Sequence, residues 1–106
     1  MRIDYVDVPF DYDGEPIALA LGQIAILRLP ENPTTGYRWV PSADHFTLVD
    51  DMFASDPHSG VGGGGARTLR FEATAPGSGT IAIALRRAWE NESNAIDRRT
   101  YTFFIR

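Results

Sequence analysis

The run Asn32-Pro33-Thr34-Thr35-Gly36-Tyr37-Arg38-Trp39 decides how the chain is read, because a turn of unusual composition leads straight into a strand. Asn-Pro turns the chain away from helix, Pro33 fixes one φ angle and removes a donor, and Gly36 can take the positive φ that lets a strand resume. Thr34 and Thr35 lie between these breakers. Both are β-branched, so χ1 is stiff and each presents a methyl and a hydroxyl in few orientations. Beyond the turn, Tyr37 and Trp39 alternate with Arg38 and Val40, the period of a strand. These residues by themselves favour a rigid connection between two strands; a pre-shaped projection is the alternative they leave open.

Working outward, the chain reads as short strands between turn signals. Upstream, Ile24 to Leu29 is a β-branched run that Pro30 is expected to stop. Ile17 to Leu21 precedes it, and Tyr5 to Val8 comes before the turn-rich Asp11-Tyr12-Asp13-Gly14. Downstream, the strand from Tyr37 is expected to end at Pro41-Ser42. From Ala43 to Ser55 the pattern fits two strands, one bent strand or a helical turn. Leu69 and Phe71 then alternate with Arg70 and Glu72, and Thr74 to Gly79 reads as a turn. Ile81, Ile83 and Leu85 alternate with small residues, as in a central, well-covered strand. After Arg87-Ala88-Trp89 and a polar stretch, Tyr101, Phe103 and Ile105 share one face of a last strand, which forms a hairpin with its predecessor.

Seven or eight short strands at intervals of about ten residues, with no amphipathic helix, predict an all-β, immunoglobulin-like β-sandwich without a disulfide. The 106 residues make one domain, 1–106, and Trp39 is expected early in a central strand of its core. Ser59-Gly60-Val61-Gly62-Gly63-Gly64-Gly65-Ala66 holds five of the ten glycines. The strand that follows makes this segment a connection within the domain, with backbone open to close approach and pairing. It is not a phosphate loop, since neither Lys-Ser/Thr nor a helix pattern follows. Loops that join alternate strand pairs gather at one end of such a sandwich. The segments 31–37, 59–66 and 86–91 are therefore expected side by side, offering a hydroxyl tip, bare backbone and a large aromatic.

Composition narrows the functional classes. The net charge is −4, and all ten basic residues are arginine, so no strong basic field points to nucleic acid or an anionic membrane. No cysteine is present, which removes disulfides, thiolate metal sites and a thiol nucleophile. His45 and His58 stand thirteen positions apart without a nucleophile setting, so neither catalysis nor a cofactor is expected. Asp50-Asp51 and Asp56 do not have the spacing of a calcium loop and read as acidic turn residues. No apolar run reaches membrane-spanning length. Acidic residues stand where a signal peptide would be apolar, so the protein is expected in the cytoplasm, or exported to the periplasm or medium with its signal removed.

Asn32-Pro33-Thr34-Thr35-Gly36-Tyr37 with Trp39, a Gly-x-Gly-Gly segment and an Arg-x-Trp near the last hairpin together resemble the chagasin family of papain-like cysteine protease inhibitors. Asp13-Gly14-Glu15, Gly22-Gln23 and Leu29-Pro30 are also similar, so the likeness covers most of the chain and is weakest from Ala43 to Ser59. The resemblance implies a monomeric inhibitor that occludes the protease cleft with its three loops, reversibly and without covalent chemistry. By that resemblance Asn32, Pro33, Thr34, Thr35 and Gly36 enter the active-site centre, with Thr35 nearest the catalytic cysteine and histidine. Gly60, Val61, Gly62 and Gly63 pair their backbone along the cleft, although Gly62 to Gly65 fits the spacing as well. Arg87, Ala88 and Trp89 form the third contact. The family pattern there is Arg-Pro-Trp, and Ala88 restores φ freedom at a cost of about 0.4–1 kcal/mol of pre-organisation. The alternative is an adhesion or interaction module that uses the same loop edge for a non-protease partner. A carbohydrate-binding module is disfavoured because Tyr37, Tyr101 and Phe103 sit in too apolar a context.

Overall fold

Period-two burial runs through the central strands of the molecule and its C-terminal strand. Between Gly65 and Ala73 the side chains of Arg67, Leu69, Phe71 and Ala73 are buried in alternation, and Tyr101, Phe103 and Ile105 repeat the pattern at the C-terminal end. Such strands commit one face to a core and the other to water, whereas residues 46–55 bury only Phe46. In the computed structural model, which describes residues 4–55 and 64–106, these faces meet between two four-stranded sheets. The described strands are β1 (Tyr5–Val8), β2 (Ile17–Leu19), β3 (Ile24–Glu31), β4 (Tyr37–Asp44), β5 (Phe46–Ser55), β6 (Gly65–Ala73), β7 (Gly77–Arg87) and β8 (Asp97–Ile105). The first sheet runs β1-β3-β6-β5 and the second β2-β8-β7-β4, the expected sandwich.

The core is aromatic at its centre and aliphatic around it. Phe46 meets Phe103 edge-on at 4.9 Å and Phe71 at 6.4 Å, among Leu27, Leu69, Ile81 and Ile83. Phe10 closes one side by packing edge-on against Trp39 at 5.5 Å, and the Tyr101 hydroxyl donates to the Phe10 carbonyl. Burial holds the Tyr101 phenol above its ordinary pKa, as expected for a hydroxyl buried among apolar groups.

Several boundaries differ from the sequence reading, each for a physical reason. Pro30 does not stop β3, which continues to Glu31 with Pro30 opposite Ala66. Its carbonyl accepts from Trp39 Nε1 at 2.8 Å and so faces away from β6. A strand residue's N–H and C=O share a side, so the missing donor falls where β1, paired only as far as Leu27, has already ended. Pro41 is likewise tolerated inside β4, because β4 is an edge strand and its outer side has no ladder to break. Trp39 is 2% exposed, as expected of a core residue, but it stands on that edge strand rather than a central one. Residues 46–55 form one strand bent by an irregularity between Leu48 and Asp50. Asp50 and Asp51 are strand residues rather than turn residues, ion-paired to Arg70 and Arg67 across β6. Strand β2 ends at Leu19, two residues early, and β7 starts at Gly77, inside the expected turn.

Candidate functional site

Strand register collects the loops. Glu31 at the end of β3 pairs with Gly65 at the start of β6, which also faces Ser55 at the end of β5. In the other sheet Tyr37, opening β4, pairs with Arg87, closing β7, while Leu85 pairs with Asp97. The chain crosses between sheets through residues 32–36, so all three connections leave from one end of the sandwich. Gly60, Val61, Gly62 and Gly63, expected in the second loop, lie outside the described residues. Its C-terminal foot is described: a Cβ on Gly64 would meet the Glu31 carbonyl at 3.5 Å and Asn32 Cβ at 3.9 Å. At Gly65 a Cβ would collide with the Ala54 carbonyl, so only glycine lets β5 and β6 close here.

The first loop is a single turn of 3-10 helix, Pro33–Thr35. Asn-Pro thus starts a helical turn instead of excluding one: Asn32 is extended, and its Oδ1 accepts from the Thr34 N–H at 3.1 Å while Pro33 occupies the first turn, where its missing N–H costs nothing. Thr34 Oγ1 donates to Asn32 Oδ1 at 2.6 Å. Thr35 Oγ1 donates to the Asn32 carbonyl at 2.8 Å and accepts from the Tyr37 N–H at 3.2 Å. Gly36 ends the turn in the left-handed region at φ 81°, and the Asn32–Pro33 bond is trans. Both threonine hydroxyl protons are therefore engaged inside the loop. Outward, the exposed tip presents methyl groups and hydroxyl oxygens that act as acceptors.

Beneath this tip lies a buried polar cluster that the sequence reading did not find. Arg67 Nη1 donates to Glu31 Oε1 at 3.1 Å and to the Trp39 carbonyl at 2.6 Å, and the same Glu31 oxygen accepts from the Trp39 N–H at 2.8 Å. Arg67 Nε and Nη2 bind the Asp51 carboxylate bidentately at 2.8 and 2.6 Å. The Glu31 side chain is 1% exposed and that of Arg67 7%. One guanidinium thus joins β3, β4, β5 and β6, two of them flanking the Asn32 loop and two the glycine loop. Its hydrogen bonds hold the Asp51 carboxyl below the usual carboxylate range, and the Asp51 carboxylate in turn raises the Arg67 pKa. The signal available in sequence was a charged residue, Arg67, on the apolar phase of β6, and a second, Glu31, ending β3.

The third loop is built around Trp89, which is 75% exposed. The Arg87 guanidinium lies 4.5 Å from the centre of the Tyr37 ring and 5.9 Å from that of Trp89, between two aromatic faces. Trp89 reaches the first loop: a Cβ on Gly36 would stand 3.3 Å from its Cη2. A second 3-10 turn, Glu92–Asn94, returns the chain to β8. Asn32 to Gly36 and Arg87 to Trp89 are therefore brought together as the sequence reading requires, and the foot of the glycine loop at Gly64 also lies next to Asn32.

Comparison with known proteins agrees with this architecture. The family model described as Chagasin family peptidase inhibitor I42 matches residues 18–104. Amoebiasin-1 of Entamoeba histolytica is 32% identical over 97 residues, 90% of this chain and 92% of that protein. Chagasin of Trypanosoma cruzi is 27% identical over 97 residues, covering 84% and 87% respectively. The crystal structure of the cysteine protease inhibitor EhICP2 from Entamoeba histolytica shares the fold, with a TM-score of 0.85 at 24% identity over 96% of each chain. A family match over most of the domain, joined to a relative above 30% identity along nearly its whole length, shows that the chain belongs to the chagasin family of cysteine protease inhibitors.

Proposed function

We propose that the protein inhibits papain-like cysteine proteases by lodging the three loops at this end of the sandwich in the active-site cleft, reversibly and without covalent chemistry. The observation that carries the reading is the contact of two surfaces of opposite character: the hydrogen-bonded Thr34–Thr35 tip and the exposed ring of Trp89, adjacent at Gly36. A protease cleaves when a carbonyl sits beside its thiolate with its oxygen in an oxyanion hole. A tip of threonine methyls and hydroxyl oxygens fills that space without offering such a carbonyl. Because the hydroxyl protons are engaged within the loop, the oxygens suit a donor, such as the imidazolium of a thiolate–imidazolium pair.

In this arrangement Thr35 lies nearest the catalytic pair, with Asn32, Pro33, Thr34 and Gly36 fixing its position. Gly60, Val61, Gly62 and Gly63 supply backbone pairing on one side of the cleft. Arg87, Ala88 and Trp89 cover the other, where Trp89 supplies the largest apolar area. Internal hydrogen bonds leave little of the first loop to be ordered on binding, so its ordering cost is low. Steady-state inhibition of papain and a cathepsin L-type protease tests the reading. Reversible inhibition with a constant on the order of nanomolar, with the inhibitor recovered uncleaved, is expected. Folded protein that leaves both enzymes active, or that is cut at the Thr34–Thr35 bond, refutes it.

A further inference from the structure

The outer face of the second sheet carries three arginines without an ion-pair partner among the described residues; Arg38 feels the Asp51 carboxylate only at longer range. Arg38 of β4 and Arg86 of β7 are cross-strand partners in register, and Arg98 of β8 stands one row away opposite Ala84. Like charges directly opposite on one sheet face destabilise it. Four other arginines of this acidic protein face carboxylates, Arg28 on Asp7, Arg67 on Glu31 and Asp51, Arg70 on Asp50 and Arg99 on Asp97, while Arg87 stacks on aromatic rings. Among the described residues no carboxylate lies within ion-pair distance of Arg38, Arg86 or Arg98, Glu90 and Glu92 of the adjacent loop included.

Two of these guanidinium groups are held beside the Trp89 loop. Arg86 Nη1 donates to the Glu90 carbonyl at 2.8 Å, and Arg98 Nη2 donates to the Glu92 carbonyl at 2.6 Å. Between them lies a shallow groove of about 210 Å³, floored by Val40, Ser42, Ala82 and Ala84. Arg38 is one residue from Tyr37, where the first loop rejoins the sheet. The positive face is thus continuous with the loop edge assigned to the protease.

We propose that this arginine face recruits papain-like proteases that carry carboxylates on the cleft rim beside the Trp89 loop, setting the association rate and the choice among target enzymes. The inference rests on the inhibitor reading and concerns the charge of its partner. Opposite charges outside the tightly packed centre of an interface act mainly on encounter, and their effect falls with salt. An acidic protein would otherwise be repelled by such a rim; a local positive face beside the inhibitory loops removes that barrier.

Stopped-flow association with an inhibited protease, between about 20 mM and about 500 mM salt, tests this. The Arg38→Glu, Arg98→Glu double variant is compared with Arg28→Glu, Arg106→Glu, which changes net charge equally away from this face. For the wild type the association rate should fall about tenfold across the range. The face variant should associate about tenfold more slowly at low salt with its salt dependence lost or reversed, while dissociation changes less than about twofold. The control should keep the wild-type slope. Inhibition with a salt-independent association rate, equal behaviour of the two variants, or a change confined to dissociation overturns the inference alone. A wild type that inhibits no papain-like protease overturns it together with the inhibitor reading.

Discussion

The loop at residues 32–36 and the loop at residues 88–96 stand side by side, yet they are built by opposite means. In the first, Asn32 and both threonines bond to one another and to the following strand, and the turn rests on Glu31, Arg67 and the Trp39 backbone. In the second, the dominant side chain lies open to solvent, and Arg86 and Arg98 hold the loop by its carbonyls from the flanking strands. One loop contributes shape and the other contributes apolar area. Shape depends on the fold beneath it, so damage there should appear as lost stability and lost affinity together. Exposed area can be removed without the fold responding.

The sharpest way to break this contrast is Arg67→Leu. It strands the Glu31 carboxylate in the interior and frees the Trp39 carbonyl, at an expected cost of about 3–5 kcal/mol of stability by urea unfolding. Inhibition should weaken in any population that remains folded. Trp89→Ala should do the reverse, lowering affinity by about 2 kcal/mol or more while the unfolding free energy stays within about 0.5 kcal/mol of wild type. Equal stability losses in these two variants would abolish the distinction.

Two smaller effects sharpen it. Asn32→Ala removes the acceptor for the Thr34 N–H and hydroxyl and should cost about 1 kcal/mol, visible both in thermal unfolding and in the inhibition constant. Acid should act on the polar cluster beneath the first loop. The folded state holds the Asp51 carboxyl below its unfolded value, so this contribution is complete above about pH 5 and is lost as the pH falls through the lowered pKa. In a Trp89→Phe background, Trp39 fluorescence should report that loosening below about pH 4, and Asp51→Asn should remove it.

Strand alternation was legible because period two is local: Ile81 and Ile83, or Tyr101 and Phe103, need no distant partner to declare a buried face. Prolines misled at Pro30 and Pro41, since whether a missing donor matters depends on which side of the strand lacks a neighbour, and that is a property of the sheet. Asp50 and Asp51 misled for the same reason; adjacent acids read as a turn until Arg70 and Arg67 are placed across from them on β6. The threonine tip was readable as stiff. The direction of its hydroxyl protons was not, because it is settled by the carbonyl and Oδ1 of Asn32 within the folded turn.

What the sequence determined by itself was whatever rests on near neighbours in the chain: an all-β domain, a turn at 32–36 started by Asn32 and Pro33, and a tryptophan carried on a hairpin loop. Tertiary structure alone decided what depends on residues far apart in sequence. It closed Trp89 onto Gly36, set Arg67 beneath a loop more than thirty residues upstream, and aligned Arg38, Arg86 and Arg98 on one outer face. The physical reason is that burial and charge pairing act across space. A lone arginine has the same propensity on every strand, and only the partner opposite it makes it a clamp, a stacked side chain or an unneutralised charge.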